Sequence, residues 1–316
     1  MNSNIPIFRS SNSSVGGRAR MDSNDLFFFT NELTHYDPKE FPNLKSDLTA
    51  FEVFNIKQVD PAMNVYTYSM NEGTGAARYA ATRQGKNNDF PYVGAKANQF
   101  SSPMFEVISA LAFSQADLLA SQTTRRDIIA TLKRQAMRSN FELMNKTCFE
   151  GNINPDIPGL LNNPHIDKNI VKSGNAPWSG KKAEDILKDL NEAYNAVLKA
   201  TANLIRPSTM LIASSPFNEI DSRIFNSFNG TTISKQFTTQ TGVKIIHAPE
   251  LNEVFGSKDG FVLFKNDPDI IQHLVATLFE TTPPQPHELE HRVFCHSKHG
   301  GIIIRQPKSI VIRHGC

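Results

Sequence analysis

From Ile128 onward the apolar residues Ile128, Ile129, Leu132, Ala136, Met137, Phe141, Met144 and Cys148 recur at helical spacing, so they share one face of a long helix. Thr124 reads as the N-cap with Asp127 in the first turn, and Gly151 suits the left-handed position after the last turn. A helix over 124–149 would be ~39 Å long at 1.5 Å per residue, enough to brace a domain. Ahead of this rod, Met104 to Phe113 alternates, with Phe105, Val107, Leu111 and Phe113 on one side, which predicts a strand with an apolar face. Ser114 caps a short turn or helix through Leu119. Beyond the rod, Pro155, Pro158 and the run Gly159-Leu160-Leu161-Asn162-Asn163-Pro164 stop the helix and turn the chain.

Phe51 to Val59 alternates as a strand, and Val65 to Met70 is a second run of strand formers. Between Ser69 and Pro103 large aliphatic residues almost vanish, while Gly73, Gly75, Gly85 and Gly94 break up polar sequence that carries Arg78, Arg83 and Lys86. Such an excursion cannot bury itself. An extended hairpin lying on a neighbouring subunit accounts for both its length and its lack of a core. Residues 1–21 hold Arg9, Arg18 and Arg20 and no acid, the composition of a basic arm. Asp25 to Thr34 predicts a short helix crowded with Leu26, Phe27, Phe28, Phe29 and Leu33, and Pro38 and Pro42 follow it. Phenylalanines at that density need a surface to cover, and the segment reads as an arm packed on another part of an assembly.

In the second half, Ala183 to Leu204 predicts an amphipathic helix with Ile186, Leu190, Ala193, Tyr194, Val197 and Leu198 inward. A buried strand at Thr209 to Ala213, a helix at Ser215 to Phe225 and strands at Val243 to His247 and Gly260 to Phe264 make a mixed α/β unit. From His291 to Cys316 the chain returns to β character and is expected to rejoin the strand and rod.

Length and charge narrow the function classes. The 316 residues suit about two domains. With 39% hydrophobic and 20% charged residues the chain is globular, and a formal net charge of +2 limits any contact with DNA to a weak or local one. Three cysteines, Cys148, Cys295 and Cys316, are too few for a disulfide framework and suit a reducing compartment. There is no apolar run of membrane-spanning length, and the N-terminus does not read as an export signal.

Two strings suggest chemistry. His287-Glu288-Leu289-Glu290-His291 matches H-E-x-x-H, in which two histidines one helical turn apart bind zinc and the glutamate deprotonates the bound water. Pro283, Pro284 and Pro286 precede it, and Glu288 to Cys295 reads as a strand, so the helical requirement is unmet. His296, His299 and Cys295 nearby suit adventitious metal binding better than catalysis, and a solvated polar strand end better than either. Gly73-Thr74-Gly75-Ala76-Ala77-Arg78 hints at a dinucleotide loop, but Arg78 occupies the third glycine position and a hairpin tip is the expected structure. No Gly-x-Ser-x-Gly elbow is present, and Cys148 falls on the rod's apolar face. No catalytic residue, cofactor site or metal site is predicted, with His287, Glu288 and His291 as the runner-up set.

The order of parts resembles a tailed-phage major capsid protein: an N-terminal arm, a long polar excursion, a strand into a long helix, an α/β unit and closing strands. Gly159 to Pro164 is similar to a Gly-Leu-Leu-Asn-x-Pro segment of one branch of that family. Gly300-Gly301-Ile302 through Arg305 and Pro307 is similar to its terminal motif. The resemblance covers about residues 25–316. It implies the α+β fold of the Hong Kong ninety-seven type, shared with encapsulin shells. Its parts would be an arm (1–50), a strand and extended loop (51–103), a peripheral domain with the spine helix (104–179), an axial domain (180–285) and closing strands (286–316). The implied function is self-assembly into hexamers and pentamers of an icosahedral virion shell around double-stranded DNA, put together in the host bacterial cytoplasm. Partners would be further copies of the chain, scaffolding, portal or decoration proteins, and DNA held weakly at the inner face, with no membrane. Phe27, Phe28, Phe29, Gly73, Gly75, Arg78, Arg83 and Lys86 are the expected contacts between subunits. A zinc hydrolase and an encapsulin-like host compartment stand as alternatives.

Overall fold

The structure, a computed structural model, describes residues 46–75, 92–124, 127–152, 157–171, 177–226, 230–256 and 258–316. The expected arm with Phe27, Phe28 and Phe29, and the loop residues Arg78, Arg83 and Lys86, lie outside the described residues. In chain order the elements begin with α1 (Thr49–Val53), β1 (Ile56–Gln58), β2 (Val65–Thr74), β3 (Gly94–Pro103), β4 (Phe105–Ser114), α2 (Gln115–Thr124) and α3 (Ile128–Glu150). They continue with β5 (Asp167–Ile170), α4 (Ala183–Ala200), β6 (Thr209–Ile212), α5 (Ser214–Ser222), β7 (Ile224–Asn226), β8 (Thr231–Thr232), α6 (Ile233–Thr241) and β9 (Lys244–His247). The last five are β10 (Gly260–Phe264), β11 (Ile271–Thr281), β12 (Gln285–His287), β13 (Glu290–Ile304) and β14 (Val311–His314).

The strand before the rod forms as its alternation predicts: in β4, Val107, Leu111 and Phe113 are buried and Glu106, Ile108, Ala110 and Ala112 are exposed. Ser114 caps the next helix. Its N–H and hydroxyl both donate to Asp117 Oδ2 at 2.8 Å, and Asp117 N–H donates back to Ser114 Oγ at 3.2 Å. These bonds hold the Asp117 carboxyl below its ordinary pKa. The capped helix runs on to Thr124, so the rod starts at Ile128, where its apolar pattern begins, and not behind a cap at Thr124. Asp127 is the N-cap, accepting from Ala130 N–H at 2.9 Å.

The rod's other end is closed by the chain doubling back. Leu160 and Leu161 N–H donate to the carbonyls of Cys148 and Phe149 at 2.9 and 2.8 Å, and Asn162 Oδ1 accepts from Gly159 N–H at 2.6 Å. Gly151 has φ 72° and ψ −173°, outside the left-handed helical well expected of it but still open to glycine. A Cβ on Gly159 would lie 2.2 Å from Gly151 N, so the two glycines let the strands of this turn touch.

Two five-stranded sheets flank the rod's end. In the first, β13 pairs antiparallel with β4 on one edge and with β11 and β12 on the other, and β1 adds parallel to β11. The second has the order β5-β14-β10-β6-β9. The closing segment is therefore split: β13 rejoins β4, but β14 lies between β5 and β10 in the second sheet. Ile310, Val311 and Ile312 are buried, which the second sheet can provide because β6 and β10 are covered on both faces. The Gly-Leu-Leu segment sits where the sheets meet. Cys148, Phe149, Leu160 and Leu161 pack with Leu211, Val262 and Phe264 of the second sheet and with Ile271 and Ile302 of the first.

Phe51 to Val59 is not one strand. Thr49–Val53 is helical and only Ile56–Gln58 is extended. Tertiary caps decide this: Asn145 accepts from Ala50 N–H at 2.8 Å, and Ala50, Val53 and Phe54 enter the core at helical spacing. The amphipathic helix α4 buries Ile186, Leu190, Ala193 and Val197 as expected but ends at Ala200 instead of Leu204, where Ala202 and Asn203 turn the chain at positive φ. Likewise α5 ends at Ser222, because Phe225 belongs to β7.

Candidate functional site

The polar excursion is an antiparallel hairpin. β2 and β3 pair without a slip from Val65↔Pro103 to Thr74↔Gly94, a stem about 34 Å long for ten residues. Most of its side chains are exposed on both faces, so the ladder has no core of its own. Gly73 and Gly75 were expected at the tip. Gly73 lies on the stem instead, opposite Ala95, and Gly75 follows the last pair, so close to Val93 that a Cβ would come within 2.8 Å of Val93 Cα. Gly73 sits in a paired strand and not in a strand-to-helix turn, which gives the dinucleotide reading no support, and residues 76–91 that follow Gly75 lie outside the described residues. Past the last pair, Tyr92 and Val93 are 92% and 77% exposed, apolar surface beyond the described stem.

At its root the hairpin is held tightly. Tyr66 and Tyr68 pack over Met104, Leu274 and Ile303, and Tyr68 stacks on Phe100 at 5.4 Å. The Arg305 guanidinium lies 5.4 Å from the Tyr68 ring centre. Burial raises the Tyr68 pKa, an effect the Arg305 charge partly offsets. Opposite, Lys298 donates to Pro61 O at 2.8 Å and to Asn64 Oδ1 at 2.9 Å, while Met104 N–H donates to Asn64 O at 2.8 Å. Beneath the root a cleft of about 1060 Å³ is lined by Tyr68, Met70, Phe100, Leu204, Ile303 and Arg305 among others. Further apolar groups face solvent on both sheet and rod: Ile108, Leu278, Phe294, Met137 and Leu143.

The H-E-x-x-H string forms a hairpin turn. His287 ends β12, Glu288 has φ 55°, and His291 lies in β13 opposite Pro286, its ring stacked on Phe113 at 5.5 Å. The strand expected from Glu288 begins at Glu290, because Glu288 and Leu289 make the turn. Histidines on opposite arms of a turn lack the shared helical face that a zincin needs. Among the described residues no group of three His, Cys, Asp or Glu is placed to hold a metal. His296 meets Glu280 at 3.4 Å, and His299 is buried beside His273, so with Cys295 they form no common site. Burial pushes the Cys148 and Cys295 thiols up, away from the reactive thiolate. Ser214 Oγ lies 2.8 Å from His247 Nε2, but Asn252 binds both Ser214 N–H and Oγ, a clasp at the start of α5.

Lys298 escaped sequence reasoning because a lysine in a strand normally marks a solvated face. The adjoining Gly300-Gly301 was the available signal, since paired glycines in a strand indicate a bulge or a close approach.

A family model described as major capsid protein matches residues 75–316. The fold is similar to the capsid of Myoviridae Phage XM1, with a TM-score of 0.80 and 11% identity over 95% of this chain and 100% of that one. It is also similar to the capsid of an empty GTA particle, with a TM-score of 0.63 and 9% identity over 93% and 99% of the two chains. The virus-like particle from Pyrococcus furiosus matches with a TM-score of 0.53 and 15% identity over 83% and 91%. No curated protein is matched by sequence. The α+β capsid fold expected from the order of parts is the fold found. With three quarters of its length matched by the family model, the chain belongs to the major capsid protein family.

Proposed function

We propose that this shell-forming structural protein closes into hexamers and pentamers of an icosahedral, tailed-phage virion around double-stranded DNA. The carrying observation is the hairpin: a ten-residue ladder whose side chains are mostly exposed, with Tyr92 and Val93 bare beyond its last described pair, gains burial on another copy. A patch that lies on a different patch of the next subunit is a heterologous contact, and such contacts close into rings when the rotation fits. Gly73 and Gly75 keep the stem slim at that contact, and Arg78, Arg83, Lys86 and the Phe27-Phe28-Phe29 segment are further contacts with neighbours.

On this reading residues 1–50 are the arm and 51–103 the strand and loop that clasps; 104–179 and 286–316 supply the peripheral part, which also takes β11, and 180–285 the axial part around each capsomer centre, whose sheet β5 and β14 complete. The shell's main partner is the chain itself, with scaffolding, portal or decoration proteins as accessory partners. The net charge of +2 suits weak contact with packaged DNA. Assembly takes place in the host bacterial cytoplasm, and the role is structural, without catalysis. No helix among the described residues is long and apolar enough to cross a membrane. The zinc-hydrolase alternative gains no support from a string folded as a turn, and the family match favours a virion over a host compartment. Negative-stain microscopy of the purified chain tests the reading: closed particles support it, and a chain that stays solitary under all assembly conditions contradicts it.

A further inference from the structure

Lys298 is 6% exposed, and a buried ammonium needs acceptors. Its two acceptors, Pro61 O and Asn64 Oδ1, both belong to the turn that leads into β2. The same strand supplies the opposite support. Just past the end of β13, Arg305 covers the Tyr68 ring while its Nη1 and Nη2 donate to Pro268 O at 2.6 Å and Gln272 Oε1 at 2.8 Å. Between the two cations β13 bulges, since Leu274 pairs with Gly301 and Val275 with His299, leaving Gly300 as the extra residue. Gly300 also lies against the root of the hairpin: a Cβ there would sit 2.8 Å from Met104 Sδ and 3.2 Å from Pro103 O. One strand therefore carries a cation, a glycine seat and a second cation, all directed at the point where the hairpin leaves the body.

We infer that Lys298 and Arg305 are positioning residues for assembly, fixing the angle between hairpin and body and with it the place where the hairpin's far end meets the next copy. The leverage is large. On a stem of about 34 Å, a tilt of about 10° at the root moves the far end by about 6 Å, more than a strand spacing. A seat with one angle specifies one subunit-to-subunit geometry, whereas a loosened seat allows several.

The inference rests on the shell-forming reading for its consequence but not for its geometry, and the test separates them. Spin labels are placed at K96C and K188C in a C316S background, and the distance distribution of the dilute, unassembled chain is measured beside the particle-size distribution under assembly conditions. The parent should give one narrow distance and uniform particles. K298M, which keeps the stem but removes all three donors, should broaden the distance distribution and give mixed particle sizes, and R305K should do so more weakly. Should K298M fail to fold, N64A, which removes one acceptor from an exposed turn, is read in the same way. A narrow, unshifted distance in these variants, or uniform particles despite a broadened one, overturns the inference. Absence of particles from the parent counts against the shell-forming reading alone, because the distance still reports the root.

Discussion

Asn145 Nδ2 donates to Glu250 Oε1 across 2.7 Å, joining residues 105 positions apart in the chain. The same buried amide accepts Ala50 N–H through Oδ1 at 2.8 Å, while Glu250 also takes the Thr49 N–H and hydroxyl at 3.1 and 2.8 Å. Rod, α1 and the loop after β9 are thereby tied at one node. Replacing Asn145 with Ala leaves buried donors and acceptors unpaired and should cost about 1–3 kcal/mol. Equilibrium urea unfolding checks this, and an unchanged midpoint would refute it.

Gly159 allows the backbone of its turn to touch the end of the rod. G159A would force a Cβ to 2.2 Å from Gly151 N and 2.6 Å from Phe149 O, both backbone atoms that cannot swing aside. A loss of more than about 2 kcal/mol is expected, with much of the product insoluble on expression. Thermal melting of the soluble fraction should show a clear drop, and an unshifted melt would mean the turn can open.

Legibility followed one-sided burial or an unbroken apolar run. β4 and α4 each turn one face to a core, so their periodicity stands out along the chain, while β6 and β10, buried on both faces, read as short apolar runs set between polar residues. β11 is buried at Ile271 and from His273 through Thr277, both faces included, and has no alternation to read. The five-residue helix α1 depends on caps supplied by Asn145 and Glu250, which local sequence cannot reveal. Thr124 and Asp127 are both good N-cap residues, and the chain uses the second, because Ser114 has already started a helix that ends at Thr124. The hairpin was visible from its lack of apolar bulk, but the lysine that seats it was not, since its acceptors come from residues 61 and 64.

His273 and His299 are buried with ring centres 6.0 Å apart, and neither ring nitrogen of His273 has a hydrogen-bond partner among the described residues. Burial, together with the His299 charge, lowers His273 from its ordinary 6.5 to about 3, and burial lowers His299 to about 4. Between pH 6.5 and these values the unfolded chain binds more protons than the native one, so stability falls as pH drops through that window. Above it the pair adds no slope. Each histidine contributes up to about 1.4 kcal/mol per pH unit. Urea midpoints at neutral and mildly acidic pH should show the decline, and H273L should flatten it; an equal slope in the variant would contradict the assignment.

Glu288 occupies the first central position of the β12–β13 turn at φ 55°, where glycine is preferred. E288G should raise stability by about 1 kcal/mol, read by thermal melting, and leave particle formation intact. The same change removes the glutamate of the H-E-x-x-H string. A protein that lost stoichiometric zinc or a hydrolytic activity on this substitution would require a different account.

The hairpin deletion tests the central claim most directly. Asn71 pairs with Ala97, so removing residues 72–94 and rewriting Ala95-Lys96 as Asn-Gly closes the ladder with a two-residue turn and leaves the root intact. Electron microscopy and sedimentation of the shortened chain should show a folded, soluble monomer or small oligomer that makes no shells. Normal closed particles from that chain would contradict the clasp between copies.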